Sequence, residues 1–247
     1  MADLKISIIT ISYNAKDTIS RCIRSVIDQR YNNLEYIIID GGSTDGTLKV
    51  INRYKTHISL LLSEPDGGIY DAMNKGLLHA TGDVIGMLNA DDVFAAPDTL
   101  YSIAKAFNTN PDIVYGDLDY INPDGQIFRK WRSGAYVKGM FNKGWMPPHP
   151  TFYCKKALFE KLGNYSIDYG TAADYELMLR FMHLNDAAIY YLPVVLVKMS
   201  TGGVSNKSYI NRIKALYNDY RAMRRNNISY PVITLMLKPI SKIKQFF

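Results

Sequence analysis

Strand-like and helix-like segments alternate over the first ninety residues of the chain, and this alternation restricts its fold more than any other feature. Residues 6 to 12 and 35 to 40 are apolar and rich in β-branched side chains, which is typical of buried parallel strands. Between them, apolar residues recur at spacings of three and four, as on one face of a helix: Ile19, Cys22, Ile23, Val26 and Ile27. The sequence therefore predicts a βαβ unit.

The alternation continues with a short helix beginning near Thr47, a third strand at residues 58 to 63, a helix around 69 to 80 and a fourth strand at 84 to 88. We therefore predict an α/β fold with a doubly wound sheet, and such sheets bind ligands at the carboxyl ends of their strands. Polar residues gather at those ends, namely Tyr13, Asn14, Asp40, Glu64 to Asp66, and Asn89 to Asp92.

The second half of the chain has a different pattern. Residues 113 to 121 and 126 to 131 are strand-like and flank Asn122-Pro123-Asp124-Gly125, a strong hairpin signal. Residues 173 to 183 have the periodicity of an amphipathic helix. We expect a mixed sheet here, because a hairpin adds antiparallel pairing to the parallel strands.

The termini and the cysteines limit the cellular setting. Residues 1 to 5 lead directly into the first strand, without the charged and apolar regions of a secretory signal. Cys22 and Cys154 have no CxxC spacing, so we expect reduced thiols rather than a disulfide framework or a zinc site. Both features favour a cytoplasmic protein.

Positive charge is concentrated at the C-terminal end of the chain. Residues 206 to 247 contain nine Lys or Arg residues and one acid, whereas the whole chain has a net charge of +6. Such a segment suits an anionic partner, either a membrane surface or a nucleic acid, and it also suits the solvated face of a helix.

Two adjacent acids, Asp91 and Asp92, come directly after the fourth strand, separated from it by Asn89 and Ala90. Paired carboxylates repel each other unless a cation joins them. A divalent cation such as Mg²⁺ or Mn²⁺ would neutralise them and could bridge to a diphosphate. The structural alternative is that Asp92 caps a helix beginning at Val93.

A glycine-rich segment, residues 40 to 47, joins the second strand to the next helix. Asp40 could accept hydrogen bonds from a ribose or a base, whereas Ser43, Thr44 and Asp45 are typical of a helix cap. Neither GxxxxGK[ST] nor GxGxxG occurs in the chain, so a P-loop and a dinucleotide fingerprint are excluded.

The order and spacing of several segments together resemble glycosyltransferase family 2, over about residues 5 to 205. The segments are Ser7 to Asn14, Ile39 to Thr47, Gly82 to Val84, Leu88 to Asp92 and Ala173 to Leu177. Residues 63 to 76 are similar to a subgroup that includes bacterial exopolysaccharide and O-antigen transferases, such as the colanic acid transferases.

The resemblance implies a GT-A fold, a nucleotide-diphosphate sugar as donor, a divalent metal, Mg²⁺ or Mn²⁺, and inversion at the anomeric carbon. It also implies site residues by position. Tyr13 would lie against the base, or alternatively fill the edge of the sheet, and Asp91 and Asp92 would hold the metal. The predicted donor-binding residues are Thr10, Ser12, Tyr13, Asn14, Asp40, Asp66, Asn74, Lys75, Asn89 and Asp91.

Two positions depart from the family pattern. Met73 stands where the family usually has an Arg near the diphosphate, and Lys75 is the cation that could replace it. Gly41 stands where many relatives have a second acid. Both departures affect how the donor would be recognised.

Asp174 matches the acid that serves the family as general base. An inverting transfer needs one carboxylate to remove the proton of the acceptor hydroxyl. The structural alternative is an acid that stabilises a helix N-terminus, and Glu176 is the alternative base. Trp145, His149 and Thr151 precede this helix, where acceptor-binding segments fall in the family. His149 would contact the donor phosphate or the acceptor, or it would be a packed loop residue. Residues 202 to 205 resemble the flexible loop of the family.

We expect the transferase domain to span residues 1 to 205, with a nucleotide-binding half (1–92) and a smaller acceptor-binding, catalytic half (93–205). Residues 206 to 247 would form a basic helical extension. It has fewer than the ~20 uninterrupted apolar residues of a membrane span. It would either dock on the inner face of the cytoplasmic membrane or pack on the core with a solvated Lys face.

The leading hypothesis is a transferase that adds one sugar to a glycan or a polyprenyl-linked acceptor in cell-surface polysaccharide biosynthesis, with no nucleic-acid partner. Two alternatives stay open. A sugar-phosphate nucleotidyltransferase would need a glycine-rich basic signature near the N-terminus, which this chain lacks. A nucleotide-sugar or glycan-binding module without turnover would not need Asp174.

Overall fold

The computed structural model describes residues 4–200 and 209–246. Within these residues, nine strands form one mixed sheet with helices on both faces, as the alternation predicted. Side by side, the strands are residues 60–63, 34–40, 6–12, 84–87, 153–155, 113–121, 189–200 and 93–94, and residues 127–131 pair with 113–121.

The nucleotide-binding half predicted for residues 1–92 contains the regular βα alternation. Its elements are β1 (Ile6–Ser12), α1 (Ile19–Ile27), β2 (Leu34–Asp40), α2 (Thr47–Ile51), β3 (Leu60–Ser63), α3 (Ile69–His79) and β4 (Val84–Met87). Each strand and helix predicted in this region is confirmed.

The second half contains shorter elements and one long strand. These are β5 (Val93–Phe94), α4 (Thr99–Phe107), β6 (Ile113–Ile121), β7 (Ile127–Trp131), β8 (Tyr153–Lys155), α5 (Lys156–Leu162), α6 (Ala173–Met178), β9 (Ile189–Ser200), α7 (Tyr209–Arg225) and α8 (Pro231–Ser241). The β6–β7 hairpin is confirmed, with Gly125 at φ +81° in its turn. The helix predicted for residues 173 to 183 changes to π-helical geometry at Leu179.

Parallel pairing aligns the carboxyl ends of β1, β2 and β3. Ser12 is opposite Asp40, and Asp40 is opposite Ser63. The chain beyond β4 stays beside β1, because the Ala90 amide donates to the Ile11 carbonyl at 3.2 Å. The four predicted polar clusters therefore meet at one edge of the sheet.

Alternating side chains of β1 build two hydrophobic cores, one on each face of the sheet. Ile6 and Ile8 pack with the apolar face of α1 and with α4. Ile9 and Ile11 face the other way and pack with α3 and α6. The second core also contains Ala222 and Met223 of α7, both fully buried. The C-terminal helices are therefore packed on the sheet domain.

Hydrogen bonds add to this packing of the C-terminal segment. The Thr234 hydroxyl donates to the Asn142 carbonyl at 2.9 Å, and the Ser229 amide donates to Asn142 Oδ1 at 2.9 Å. The domain boundaries predicted at residues 92 and 205 stay predictions.

Candidate active site

The Asp40 carboxylate is fully buried and joins the ends of three strands. Its Oδ1 accepts hydrogen bonds from the hydroxyls of Ser12 (2.9 Å) and Ser43 (2.5 Å). Its Oδ2 accepts from the Ser43 amide (2.9 Å) and the Ser63 hydroxyl (2.8 Å). Burial acts to raise the pKa of Asp40, but these hydrogen bonds outweigh it and lower the pKa. Asp40 thus organises the predicted nucleotide site, and its direct contact with a nucleoside stays a prediction.

The loop after β1 presents Tyr13 to solvent. Asn14 adopts a φ of +48° and ties this loop to the next one, because its Oδ1 accepts from the Thr44 amide at 2.9 Å. The Tyr13 side chain is 67% exposed at this rim. Thr10 is instead fully buried, where its hydroxyl contacts Tyr36 at 3.2 Å. Of the two residues, Tyr13 is the one placed for stacking on a base.

Gly41 and Asp66 form a close contact between two loops. A Cβ atom on Gly41 would lie 2.5 Å from Asp66 Oδ2. The Asp66 carboxylate is held in this position by the Gly68 amide, which donates to Oδ1 at 2.8 Å. The departure at Gly41 therefore has a physical reason, since a side chain there would collide with Asp66.

Asn74 and Lys75, which were predicted near the diphosphate, both bind protein groups. The Asn74 amide donates to the Tyr165 carbonyl (2.9 Å) and accepts from the Tyr165 amide (3.0 Å). Lys75 Nζ lies 2.7 Å from Glu64 Oε1 and donates to the Pro65 carbonyl at 3.1 Å. In this structure the two side chains hold loops together, and a diphosphate contact by either one stays a prediction.

In the acid pair, the buried Asp92 carboxylate has one oxygen without a hydrogen-bond partner. Asp92 is fully buried, its Oδ1 accepts from the Ser200 amide at 3.4 Å, and its Oδ2 has no hydrogen-bond partner. The Asn89 side-chain oxygen is also buried without a partner, while a hydrogen bond from the Asn89 side chain acts to lower the pKa of Asp92. Burial, and next the charge of Asp91, raise the pKa of Asp92 well above its usual value. The helix-cap alternative for Asp92 is wrong, because Val93 begins strand β5.

The carboxylate oxygens of Asp91 and Asp92 fit a hard divalent cation. Unpaired buried oxygens are costly, and Mg²⁺ and Mn²⁺ prefer carboxylate and carbonyl oxygen ligands. Within residues 4–200 and 209–246, no group of three or more His, Cys, Asp and Glu side chains is placed to hold a metal ion. A cation at Asp91 and Asp92 would therefore take its other ligands from water and from donor phosphates, as Mg²⁺ commonly does.

Asp174 lies in the first turn of α6 and contacts two side chains from other segments. Its Oδ1 accepts from the Tyr175 amide (2.8 Å) and the Tyr70 hydroxyl (3.2 Å). Its Oδ2 lies 3.5 Å from His149 Nδ1. The structure therefore brings the predicted base together with His149, one of the three predicted acceptor residues.

Tyr70 was not identified from the sequence, although it lies in the segment whose resemblance was noted, residues 63 to 76. Its hydroxyl reaches Asp174 across 104 positions of the chain. Burial, and next the charge of Asp174, raise the pKa of Tyr70 well above its usual value, so it remains a neutral donor. Its position at the start of α3, beside the glycines of the preceding loop, was the available signal.

Glu176 points away from this group into the interior. It is buried and forms an ion pair with Arg180 at 2.9 Å. The Arg180 guanidinium also donates to the carbonyls that end α5, at Leu162 and Gly163. Its pairing makes Glu176 a structural residue and favours Asp174 as the base.

The other two predicted acceptor residues contact backbone carbonyls and core side chains rather than Asp174. Trp145 donates its indole N–H to the Ser133 carbonyl at 2.9 Å and meets Phe141 edge-on. Thr151 is fully buried, and its hydroxyl lies within hydrogen-bond distance of the Gly116 and Pro148 carbonyls, to one of which it donates. A direct acceptor contact by either residue stays a prediction. The predicted flexible loop, residues 202 to 205, lies outside the described residues.

The doubly wound mixed sheet is the fold of the GT-A glycosyltransferases. The model of the family described as Glycosyl transferase family 2 matches residues 7–173. The chain belongs to glycosyltransferase family 2.

Comparisons with known proteins agree with this assignment. An uncharacterized glycosyltransferase of Mycobacterium tuberculosis is 33% identical over 92% of this chain and 85% of its own length. An Escherichia coli protein named UDP-Glc:alpha-D-GlcNAc-diphosphoundecaprenol beta-1,3-glucosyltransferase is 37% identical over 49% of each chain. The fold resembles a mannosyltransferase of Pyrobaculum calidifontis, solved with GDP-Man and Mn²⁺, with a TM-score of 0.68 and 19% identity over 96% of this chain and 72% of that one.

Proposed function

We propose that the protein is an inverting, metal-dependent glycosyltransferase that moves one sugar from a nucleotide-diphosphate sugar to a glycan or a lipid-linked acceptor in cell-surface polysaccharide biosynthesis. The observation that carries this proposal is that the acid pair and Asp174 have different surroundings. Asp92, next to Asp91, has an oxygen without a donor, as a metal ligand would. Asp174 is oriented separately by Tyr70 and His149.

The contacts of Asp174 suit it to act as the general base. Two donors bind its Oδ1, which leaves Oδ2, on the side of His149, as the atom to receive the acceptor proton. The acceptor oxygen forms a bond to the anomeric carbon while the bond from that carbon to the diphosphate breaks, and the nucleotide diphosphate leaves. A single displacement of this kind inverts the anomeric configuration.

Asp91 and Asp92 would hold the divalent cation, which neutralises the charge that develops on the leaving diphosphate. The mannosyltransferase with a similar fold was solved with Mn²⁺, and this supports the choice of metal. Tyr13 at the rim would stack on the base of the donor, and Asp66 would contact the nucleotide beside Gly41.

A donor screen tests the proposed function. Purified protein would be incubated with UDP-, GDP- and dTDP-sugars, with and without Mn²⁺, in the presence of a membrane lipid extract as the source of acceptor. We expect nucleotide diphosphate release with one donor class, dependent on both metal and extract. Binding of a donor without release would instead indicate a binding module, and pyrophosphate release from a nucleoside triphosphate and a sugar phosphate would indicate a nucleotidyltransferase.

The acceptor side of the proposal includes contact with a membrane surface. No helix in the described ranges has the length and apolar character to cross a bilayer. The outer face of α8 is nevertheless apolar, since four of its side chains are more than half exposed: Val232, Ile233, Met236 and Ile240. Lys238, on the opposite face, is buried and pairs with Asp219 at 2.7 Å. On α7, by contrast, Lys214, Arg224 and Arg225 are exposed, as the alternative of a packed helix with a solvated basic face predicts.

An anionic bilayer is the occupant that suits the outer face of α8. Nine basic residues and one acid lie in residues 206 to 247, so a second copy of this segment would repel the first, whereas anionic lipids attract it. The E. coli relative is named for a diphosphoundecaprenol-linked substrate, which supports an acceptor held in a membrane.

Substitution of Ile233, Met236 and Ile240 with Gln together is expected to weaken binding to vesicles that contain phosphatidylglycerol by at least about 10-fold, because each buried apolar side chain contributes about 1.5–3 kcal/mol. Co-sedimentation with vesicles measures this effect. Leu78→Gln is the matched control, since Leu78 is an apolar side chain 76% exposed on α3. Equal binding by the triple variant and the wild type would contradict the proposal.

A further inference from the structure

A cavity of about 310 Å³ lies where the end of β7, the segment around Trp145 and the end of α8 come together. Its lining combines two cations, two aromatic rings and two neutral polar side chains, contributed by Arg132, Lys242, Trp131, Trp145, Ser241 and Gln245. None of these residues belongs to the acid pair or to the group around Asp174.

Lys242 brings to the cavity a positive charge that no described carboxylate contacts directly. Within the described residues, no carboxylate oxygen lies within 4.0 Å of its ammonium group, which stands 5.6 Å from the centre of the Trp131 ring. Burial lowers the pKa of Lys242 most, and the nearby charges of Lys238 and Arg129 lower it further. A partly buried cation that no carboxylate contacts is costly in free energy, and a bound anion would lower that cost.

Arg132 and Gln245 contribute further donors that are already oriented. Arg132 Nη1 lies 2.7 Å from Asp119 Oδ1, and its Nε lies 3.8 Å from Asp117 Oδ2. Both acids are buried, yet 44% of the Arg132 side chain stays exposed. Gln245 Oε1 accepts hydrogen bonds from Arg129. The Gln245 NH₂ group therefore points away from Arg129 and is a donor. Oriented donors of this kind suit a phosphate group.

We propose that this cavity binds the phosphate or diphosphate group that joins an acceptor glycan to its lipid. This inference rests on the lipid-linked acceptor of the proposed function. Ser241 and Lys242 lie at the end of α8, whose outer face is apolar, so a phosphate in the cavity would sit next to the lipid-facing surface. The indole rings of Trp131 and Trp145 offer apolar faces to the adjoining sugar or isoprenoid unit.

The position of the cavity relative to the base fits an acceptor. Trp145 lines the cavity and meets Phe141, and Phe141 contacts Tyr175, which follows Asp174 directly. The charge of Asp174 is also among those that act on Lys242. These contacts run through the buried side chains of Phe141 and Tyr175, and they place the cavity next to the helix that carries Asp174.

Direct binding tests this proposal without requiring turnover. The probes are geranylgeranyl diphosphate, geranylgeraniol and inorganic pyrophosphate, and quenching of tryptophan fluorescence reports occupancy. We expect geranylgeranyl diphosphate to bind most tightly, and Lys242→Gln to weaken that binding about 10- to 100-fold, as the loss of a hydrogen bond to a charged group does. Lys105→Gln, which removes an exposed charge on α4, should bind as the wild type does.

The binding results distinguish a lipid diphosphate from free pyrophosphate as the ligand of the cavity. Pyrophosphate binding as tightly as the lipid diphosphate, or unchanged lipid binding by Lys242→Gln, would overturn the proposal. The melting temperature of Lys242→Gln should stay close to that of the wild type, because among the described residues the variant breaks no ion pair within 4.0 Å. With a donor found in the screen, the variant should raise the KM for the acceptor and leave the KM for the donor unchanged. A raised donor KM would overturn the assignment to the acceptor.

Discussion

Replacement of Asp174 with Asn is expected to lower the rate of sugar transfer by about 10²- to 10⁴-fold, the range in which general bases contribute to enzymatic rates. An amide has nearly the shape of a carboxylate but cannot take a proton from the acceptor hydroxyl. The Tyr70 hydroxyl and the Tyr175 amide can still donate to the side-chain oxygen, so the local fold should persist. Binding of the donor should change little, because the base acts on the acceptor.

The measurement is the initial rate of nucleotide release with saturating donor and acceptor, together with the dissociation constant of the donor. Asp168→Asn is the matched control, since Asp168 is an exposed acid six residues earlier in the chain. The control should keep the rate of the wild type. A full rate for the Asp174 variant would remove the assignment of the base, whereas equal losses in rate and in donor affinity would indicate a disturbed donor site.

The pattern of β-branched runs and amphipathic helices made the first half of the fold predictable. A buried parallel strand needs apolar residues on both faces, and few other structures require such a run. Strand β9 was not predicted, because its twelve residues include Pro193 and it carries exposed residues such as Tyr190 and Val194. This strand is nevertheless part of the site, since Ser200 at its end contacts both Asp91 and Asp92.

The side-chain contacts of the site could be predicted only in part. Asp174 and His149 were identified from their positions in motifs, and they meet at 3.5 Å. Tyr70 was missed because an aromatic residue at the start of an amphipathic helix has the pattern of a core residue. Asn74 and Lys75 occupy the predicted segment, but their contacts depend on the loops at Tyr165 and Glu64, which sequence spacing does not reveal.

The departure at Gly41 shows why a motif alone can mislead. The sequence marked it as a missing acid, whereas in the fold the Asp66 carboxylate occupies the space beside it. Gly41 and Asp66 lie 25 positions apart in the sequence, but their loops border the same space. Only one of the two loops can place a carboxylate there. The contact could not be read from either motif separately, because it depends on how β2 and β3 pair.

Asp92→Asn is expected to weaken binding of the nucleotide-sugar by about 100-fold or more, since the loss of a group that merely supports a metal ligand already costs about 10- to 100-fold. Chelation with EDTA should weaken donor binding by the wild type to a similar extent and should have little further effect on the variant. Titration of donor binding with and without Mn²⁺ measures both effects. Asp98→Asn, which changes an exposed acid before α4, is the matched control.

The thermal stability of the Asp92→Asn variant should increase, whereas its binding of the nucleotide-sugar should decrease. Folding raises the pKa of Asp92, first through burial and then through the charge of Asp91, so the ionised carboxylate is less stable in the folded chain than in the unfolded one. Removal of that charge should therefore raise the melting temperature of the metal-free protein at neutral pH. Mn²⁺ should raise the melting temperature of the wild type and not that of the variant, because a cation that binds only the folded state stabilises it. Full transfer activity in excess EDTA, or equal stabilisation of both proteins by Mn²⁺, would contradict a metal site at Asp91 and Asp92.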